Sequence, residues 1–148
     1  MGAVEVAPGS SAEQRAAELL MIERVADEVG VELRRQSITS AGVRVEVDGA
    51  DDARTVLVEA WAHQGPPKSA QRHKVLADAF KLSWIASTLP AHPRLILCFS
   101  DEAAAKPFLT GRSWVVEALR AQGIEVFIAE LSPEVRAGIV AAQRRQYR

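Results

Sequence analysis

Cysteine, aromatic residues, long apolar runs and net charge are all scarce in this chain of 148 residues. Its single cysteine, Cys98, excludes a disulfide framework or a cysteine zinc site within the chain and is expected to be a buried structural thiol. No apolar run approaches the roughly 18 residues of a membrane span, and the first dozen residues lack the regions of a secretory signal. We therefore expect a cytoplasmic protein with no membrane partner.

The formal net charge of −1 provides no overall attraction to nucleic acid, so any such binding would depend on a local patch of Lys and Arg. The sequence also lacks the P-loop, the Rossmann glycine motif and the G-x-S-x-G elbow. Its three histidines do not have the spacing of a zinc-binding helix. Nucleotide binding of the P-loop or Rossmann kind and a histidine zinc site are therefore disfavoured.

What is present is typical of one globular domain, with 48% hydrophobic and 25% charged residues. We expect a flexible lead-in over residues 1–11 and a single domain over residues 12–148. Ser11 and Gln14 have the spacing of a capping box, and Gly30 is a plausible C-cap for the helix that follows Ser11. The expected buried stripe of this helix consists of Leu19, Ile22, Val25, Ala26 and Val29.

Periodicity predicts the order helix, hairpin, helix, strand, helix, strand, helix. "VRVEVDG" and "TVLVEAWAH" form the hairpin around residues 49–54, and the next helix covers about residues 69–89. "VELRRQSI" stays ambiguous between a strand and a helical extension. The βαβ rhythm of the second half predicts an α/β domain with a mixed central sheet flanked by helices.

A glutamate interrupts the second strand of this hairpin. Alternation places Glu59 on the same face as Leu57 and Trp61. An ionised carboxylate buried between two such residues would cost several kcal/mol unless a cation or a metal compensates it. Glu59 is therefore expected to have a partner.

Asp48 ends the preceding strand, and the hairpin is expected to bring it to the same end of the sheet as Glu59. Two converging carboxylates suit Mg²⁺ (or Mn²⁺), which keeps several waters and accepts one or two protein oxygens together with substrate phosphate. The alternative is that "DGADD" is only a polar turn.

The following helix begins with cations, which is the unfavourable sign for a helix N-terminus. These residues are Lys68, Arg72, His73 and Lys74. Free backbone N–H groups and basic side chains there would bind phosphate. The alternative is that these cations pair with acids of the hairpin, namely Asp48, Asp51, Asp52 and Glu59.

Glu18 falls within the expected buried stripe of the first helix. It is either a third member of the carboxylate site or a first-turn carboxylate that is favoured by the helix dipole and reaches water.

These residues resemble the PD-(D/E)XK nuclease superfamily, which has a restriction-endonuclease-like fold with an α-β-β-β-α-β core. "VEVDG" looks like its first motif element with Asp48, "VLVEAW" looks like the second with Glu59, and Glu18 stands where the helical Glu of the family is expected. The resemblance in element order spans about residues 12 to 130. It implies metal-dependent hydrolysis of DNA, with Asp48, Glu59 and Glu18 as metal ligands.

The sequence departs from the family at its lysine, because Trp61 occupies that position. In the family this Lys positions the attacking water and offsets phosphate charge. Some members carry a migrated Lys, for which Lys74 and Lys68 are the candidates here. Gln71 resembles the helix Gln of some exonuclease-like members and, with Arg72, is expected to bind substrate. Trp61 itself is expected to pack rather than to stack on a base.

Two functions remain open on these grounds. The first is a DNA nuclease that uses Asp48, Glu59 and a migrated Lys with Mg²⁺. The second is a catalytically silent domain of the same fold that binds nucleic acid or a protein partner, and a homodimer is possible in either case. Trp84 and Trp114 are expected to pack in the core, with an interface as the alternative if they are exposed.

Overall fold

A mixed sheet forms the middle of the structure, a computed structural model in which residues 11–146 are described. Within these residues the sheet has five strands, which follow one another across it in chain order. They are β1 (Arg34–Ser40), β2 (Val43–Ala50), β3 (Val56–Trp61), β4 (Arg94–Phe99) and β5 (Ile124–Ile128). The first three are antiparallel neighbours, whereas β3, β4 and β5 are parallel.

Helices cover both faces of this sheet. They are α1 (Ala12–Val29), α2 (Ser69–Thr88), α3 (Glu102–Leu109), α4 (Trp114–Ala121) and α5 (Pro133–Gln146). One apolar cluster joins the sheet to α1 and α5, and it includes Met21 and Ile139. The other joins it to α2, α3 and α4, and it includes Leu82 and Phe108. The parallel strands are therefore buried on both faces, as their continuous apolar sequences require.

The prediction of a single α/β domain with a mixed central sheet and flanking helices is confirmed. The first six elements run helix, three strands, helix, strand, and then two further helices precede β5. The restriction-endonuclease-like core stays a prediction. The predicted lead-in falls almost entirely on residues 1–10, which lie outside the described residues, as do residues 147 and 148.

Capping contacts mark the helix ends, and those of α1 lie where the sequence predicts them. Ser11 Oγ accepts a hydrogen bond of 3.1 Å from the Gln14 N–H at the start of α1, and Gly30 ends that helix with φ of 75°. The hydroxyl of Ser132 accepts a bond from the Val135 N–H at the start of α5. These contacts satisfy backbone groups that a helix terminus leaves unpaired.

One ambiguity is resolved, and two local expectations are wrong. The ambiguous segment after α1 is the edge strand β1, whose polar sequence hides its period. Leu19 is 66% exposed, because the buried face of α1 is centred on Ala17, Met21 and Val25. Trp114 is 71% exposed, because it begins α4 on the outer side of that helix.

No helix within residues 11–146 combines the length and the apolar character that crossing a membrane requires.

Candidate functional site

Asp48 and Glu59, hereafter the carboxylate pair, meet where the ladder between β2 and β3 ends. The ladder pairs Ala50 with Leu57 and Gly49 with Val58, so Asp48 and Glu59 are the next residues along it. There the Ala60 N–H donates a 2.9 Å hydrogen bond to Asp48 Oδ2. The Asp48 side chain also lies close enough to the Glu59 carboxyl group to raise its pKa. The hairpin thus brings together two acids that are eleven positions apart in the chain.

A bulge in β2 sets the position of Asp48. Opposite β1, Val47 pairs with Gln36 and Ala50 pairs with Arg34, so that Asp48 and Gly49 face one residue of the partner strand. An extra residue of this kind bends the strand and redirects the side chain beside it. Gly49 lets α1 approach, because a Cβ atom there would lie 3.0 Å from Ile22 Cδ1.

Glu59 is almost completely buried, with 5% of its surface exposed. It lies on the face of β3 that packs under α2, and the ammonium group of Lys81 on that helix forms an ion pair with Glu59 Oε1. Beyond this ion pair, Oε1 has no hydrogen-bond partner among the described residues. The same ammonium donates a 2.9 Å hydrogen bond to the Glu46 carbonyl oxygen, so Lys81 is shared between β2 and β3.

Burial and neighbouring charge both disfavour the ionised forms of Glu59, Glu18 and Asp78. Burial raises the pKa of Glu59 to about 9, and the contact with Asp48 and its charge add to the effect, against the opposing influence of Lys81. Burial also raises the pKa of Glu18 to about 7, with the charge of Asp48 as the next cause. The pKa of Asp78 on α2 is raised by burial and, to a smaller degree, by Asp48. Asp48 is therefore the centre of a group of acids that repel one another.

A divalent cation would relieve this repulsion, and the residues present fit one. Carboxylate oxygens are the preferred ligands of Mg²⁺, which needs only one or two of them and keeps its remaining waters. Within residues 11–146 no three His, Cys, Asp or Glu side chains form a group that could hold a metal. A metal held by Asp48 and Glu59, with or without Glu18, therefore stays a prediction, and what the structure shows of Glu18 is that the charge of Asp48 acts on it.

Only some of the basic residues expected around the site lie near the carboxylate pair. Lys74 lies close enough to Glu18 and Asp78 for its charge to lower the pKa values of both carboxyl groups. Lys68 and Gln71 lie at the start of α2, where Gln71 Oε1 accepts a 2.8 Å hydrogen bond from the Lys68 N–H. Both line a cavity of about 440 Å³ together with residues of α5, and neither Asp48 nor Glu59 lines it. Arg72 is exposed on the first turns of α2.

The hairpin acids have partners other than the basic start of α2. Asp52 pairs with Arg34 at 2.6 Å, and Glu59 pairs with Lys81. Asp51 accepts hydrogen bonds from the Thr55 N–H and hydroxyl and from the Val56 N–H, which close the β2–β3 turn. These contacts pair none of Asp51, Asp52 and Glu59 with residues 68–74, so they do not support the alternative of ion pairs with the start of α2.

Lys81 is the site residue that the sequence interpretation missed. It lies two turns beyond the basic start of α2, and only the packing of α2 on β3 brings its ammonium group to Glu59. A sequence signal did exist, since Lys74, Asp78 and Lys81 recur at positions i, i+4 and i+7 of one helix. That spacing places all three on one face of α2.

Trp61 is a packing residue, as expected. Its ring stacks on His63 with centroids 4.4 Å apart, and it meets Phe99 edge-on at 6.2 Å. Trp61 is partly buried against the core that includes Leu57 and Phe99. Position 61, where the resembled superfamily carries a lysine, thus holds an aromatic residue that packs against His63 and Phe99.

Comparison of the chain with protein-family models, with curated proteins and with solved structures finds no match in any of the three. Any function proposed for the chain therefore rests on its own residues and their geometry.

Proposed function

We propose that the protein is a metal-dependent phosphodiesterase of the PD-(D/E)XK type that hydrolyses DNA, with Asp48 and Glu59 as its metal ligands. The observation that carries this proposal is the buried Glu59, which contacts Asp48 at a bulge and has one carboxylate oxygen held only by the ion pair with Lys81 among the described residues. Two buried carboxylates in contact destabilise a protein core, whereas a cation site uses their oxygens as ligands.

Each residue of the proposed site would have a distinct role. Asp48 and Glu59 would hold Mg²⁺ or Mn²⁺, and Glu18 would add negative charge from α1. The metal would supply Lewis-acid activation of the attacking water and of the phosphate oxygen. Lys74 and the exposed Arg72, on the same helix as Lys81, would attract the DNA backbone.

Lys81 is the best candidate for the lysine that position 61 lacks. Its ammonium group already contacts Glu59, whereas Lys68 lies at a cavity that the carboxylate pair does not line. A lysine beside the carboxylate pair would offset the charge that develops on the phosphate and help to position the attacking water. Lys74 would then be a substrate-binding residue rather than the replacement for the motif lysine.

The order of elements supports the proposed family, because α1, β1, β2, β3, α2 and β4 follow the helix and strand order of its core. A cytoplasmic location also belongs to the proposal. It is supported by the buried Cys98, whose thiol pKa burial raises to about 12, as befits a structural cysteine in a reducing compartment.

A second function is favoured by a different observation. Trp61 packs against both His63 and Phe99, and Glu59 already has a cation in Lys81. In a catalytically silent domain this ion pair would be permanent and would replace the metal. Such a domain would bind nucleic acid or a protein partner without cleaving anything.

Cleavage of plasmid and single-stranded DNA with Mg²⁺ or Mn²⁺ separates the two functions. The nuclease proposal expects metal-dependent cleavage that falls by at least about a hundredfold in Asp48→Asn and Glu59→Gln, because each removes a ligand charge. Lys81→Met should lower cleavage comparably while metal binding, measured by calorimetry, persists or becomes tighter. Removal of a competing cation from Glu59 is the reason for that difference.

Glu46→Gln is the matched control for the acids, because Glu46 is an exposed acid on β2 that pairs with Arg35. Lys106→Met, an exposed lysine on α3, is the control for Lys81. Absence of cleavage with either metal, or cleavage that survives both acid substitutions, would rule out the nuclease and favour the silent domain.

A further inference from the structure

A basic cavity lies just beyond the carboxyl end of β3, between the start of α2 and the last turns of α5. It has a volume of about 440 Å³, and the residues that line it include His63, Pro66, Lys68, Gln71, Gln143 and Arg144. Among the described residues that line it, none is Asp or Glu. Ligands of open α/β sheets bind preferentially outside the carboxyl ends of the strands. The cavity therefore has the location of a ligand site and a charge that suits an anion.

The loop that follows β3 forms one wall of this cavity and is fixed by hydrogen bonds. The Gly65 N–H donates a 2.8 Å hydrogen bond to Asp101 Oδ2, just after β4. Gln143 of α5 accepts a 2.8 Å bond from the Gln64 N–H and donates a 3.1 Å bond to the Gln64 carbonyl oxygen. The wall is thus formed before a ligand arrives, which lowers the conformational cost of binding.

His63 contributes a buried polar ring to the cavity. The residue is 5% exposed, and its ring stacks on Trp61. Its hydrogen bonds with Ser100 are made by the His63 backbone, and no side chain within residues 11–146 bonds its ring nitrogens. The Pro66 backbone lies close enough to raise the pKa of the ring and can engage only one of its two nitrogens. A second ring nitrogen is therefore open to a ligand in the cavity.

Positive charge reaches the same cavity from both helices. Lys68 is the N-cap of α2, a helix of 20 residues whose first turn contains no acid to offset the positive end of its dipole. Burial lowers the pKa of the His63 ring and the charge of Lys68 lowers it further, against the opposing effects of the Pro66 backbone and Asp101. Arg144, an exposed residue, lines the cavity from α5. A bound anion would offset the repulsion among these groups.

We infer that this cavity binds a phosphate group, which Lys68 and Arg144 attract by charge and which His63 and the start of α2 hold by hydrogen bonds. Phosphate presents several strong acceptor oxygens, and helix N-termini and the side chains of Lys and Arg are its usual receptors in proteins. The volume lies within the range of about 300–1,000 Å³ that small-molecule sites have. Pro66 and Val140 add an apolar wall, which leaves room for an organic group attached to the phosphate.

Calorimetric titration of the full chain with inorganic phosphate and with thymidine monophosphate, at constant ionic strength and with a metal chelator present, tests the inference. The wild type should show saturable binding, and Arg144→Gln and Lys68→Gln should each weaken it by at least about tenfold. Tighter binding of thymidine monophosphate would support a phosphate carried by an organic molecule, and equal binding would support free phosphate. The carboxylate pair does not line the cavity and no metal is supplied, so the result does not depend on the proposed hydrolysis.

Arg145→Gln is the matched control, because Arg145 is the next residue of α5 but pairs with Glu13 at 2.7 Å and does not line the cavity. It removes the same charge and should keep the wild-type affinity. Nuclear magnetic resonance gives a second readout, in which phosphate should shift the ring signals of His63. The signals of His92, an exposed residue just before the opposite end of β4, should not move.

Absence of binding of both phosphate compounds to the wild type would overturn the inference. It would also be overturned if Arg145→Gln weakened binding as much as Arg144→Gln does, because general charge attraction would then explain the result. Binding that requires Mg²⁺ and is lost in Asp48→Asn would place the phosphate at the carboxylate pair instead and would contradict a site in this cavity.

Discussion

Glu59 is the residue whose placement most needs an explanation other than stability. Its carboxyl group is buried, contacts the carboxyl group of Asp48 and has Lys81 as its only described cation. Unfolding would release this group into water, where it ionises freely, so the folded state loses stability by keeping it. Natural proteins accept such a cost at functional sites, where a bound cation reverses it.

Glu59→Gln should therefore stabilise the metal-free protein at neutral pH, by about 1–2 kcal/mol or roughly 3–8 °C in melting temperature. The sign follows from the pKa of Glu59, which is raised to about 9 from an ordinary value of 4.5. Across this range Glu59 binds a proton more readily in the folded chain than in the unfolded chain, so wild-type stability falls as pH rises. Thermal unfolding at several pH values measures the difference.

The gain should shrink toward zero as the pH falls below the ordinary carboxyl value, because both states of the wild type are then protonated. Glu46→Gln on the same sheet is the control, and its exposed ion pair with Arg35 is worth at most about 1 kcal/mol. A melting temperature for Glu59→Gln that lies below the wild type at neutral pH would contradict this account of the pair.

Asp51 is a buried acid that stabilises the folded state, in contrast to Glu59. Burial alone would raise its pKa, but hydrogen bonds from the Thr55 hydroxyl and from the backbone N–H groups of Thr55 and Val56 outweigh burial and leave the pKa lowered. Asp51→Asn should cost about 1–3 kcal/mol at neutral pH, since a neutral amide replaces a charge-assisted acceptor.

A lowered folded-state pKa means that the contribution of Asp51 is complete above its ordinary value of 3.8 and is lost as the pH falls further. Urea unfolding of wild type and Asp51→Asn should therefore converge in acid. The exposed neighbour offers the control, as Asp52→Asn removes only a surface pair with Arg34. Equal stabilities of wild type and Asp51→Asn at neutral pH would refute the role given to Asp51.

At the scale of elements, the approach of α1 to β2 depends on the absence of a side chain at position 49. A Cβ atom there would lie 3.0 and 3.1 Å from two carbon atoms of the buried Ile22. Gly49→Ala should destabilise the fold by about 1–3 kcal/mol, as overpacking of a core usually does.

The partner substitution Ile22→Val supplies the test of that contact, because it removes the Cδ1 atom that lies nearest to position 49. Denaturant unfolding of the two single variants and the double variant gives a coupling free energy, which should be favourable by about 0.5–1.5 kcal/mol. Simple additivity would show that Ile22 is not the obstacle.

The elements were predictable from sequence wherever one pattern dominated. The sequence of β2 alternates between apolar and polar residues, β3 is an apolar run that only Glu59 interrupts, and β4 is a continuous apolar run. Ser11 and Gly30 mark the ends of α1. β1 was ambiguous because an exposed edge strand shows little apolar period. Leu19 was misplaced because the buried face of α1 includes the small Ala17 and the polar Gln14, which a count of large apolar residues overlooks.

The candidate site was only half predictable for a related reason. Asp48 and Glu59 are close in sequence across a hairpin, so their meeting follows from local pairing. Lys81 reaches Glu59 only through the packing of α2 on β3, and its position depends on the rotation of that helix, which no local pattern fixes. The bulge at Asp48 likewise depends on the register with β1 rather than on the sequence of β2.

At the scale of the whole molecule, α2 presents two different surfaces. One side carries Lys74, Asp78 and Lys81 toward the carboxylate pair, and the other carries Leu76 and Phe80 toward an apolar cavity of about 390 Å³ between α2 and α4.

The most direct test of the central claim is whether Asp48 and Glu59 together bind a divalent cation. Isothermal titration calorimetry with Mg²⁺ and Mn²⁺ should show saturable binding to the wild type and to Glu46→Gln. It should show none to Asp48→Asn or Glu59→Gln, because each loses a ligand charge that the site cannot replace. Undiminished binding in both site variants, or no binding to the wild type, would contradict the account.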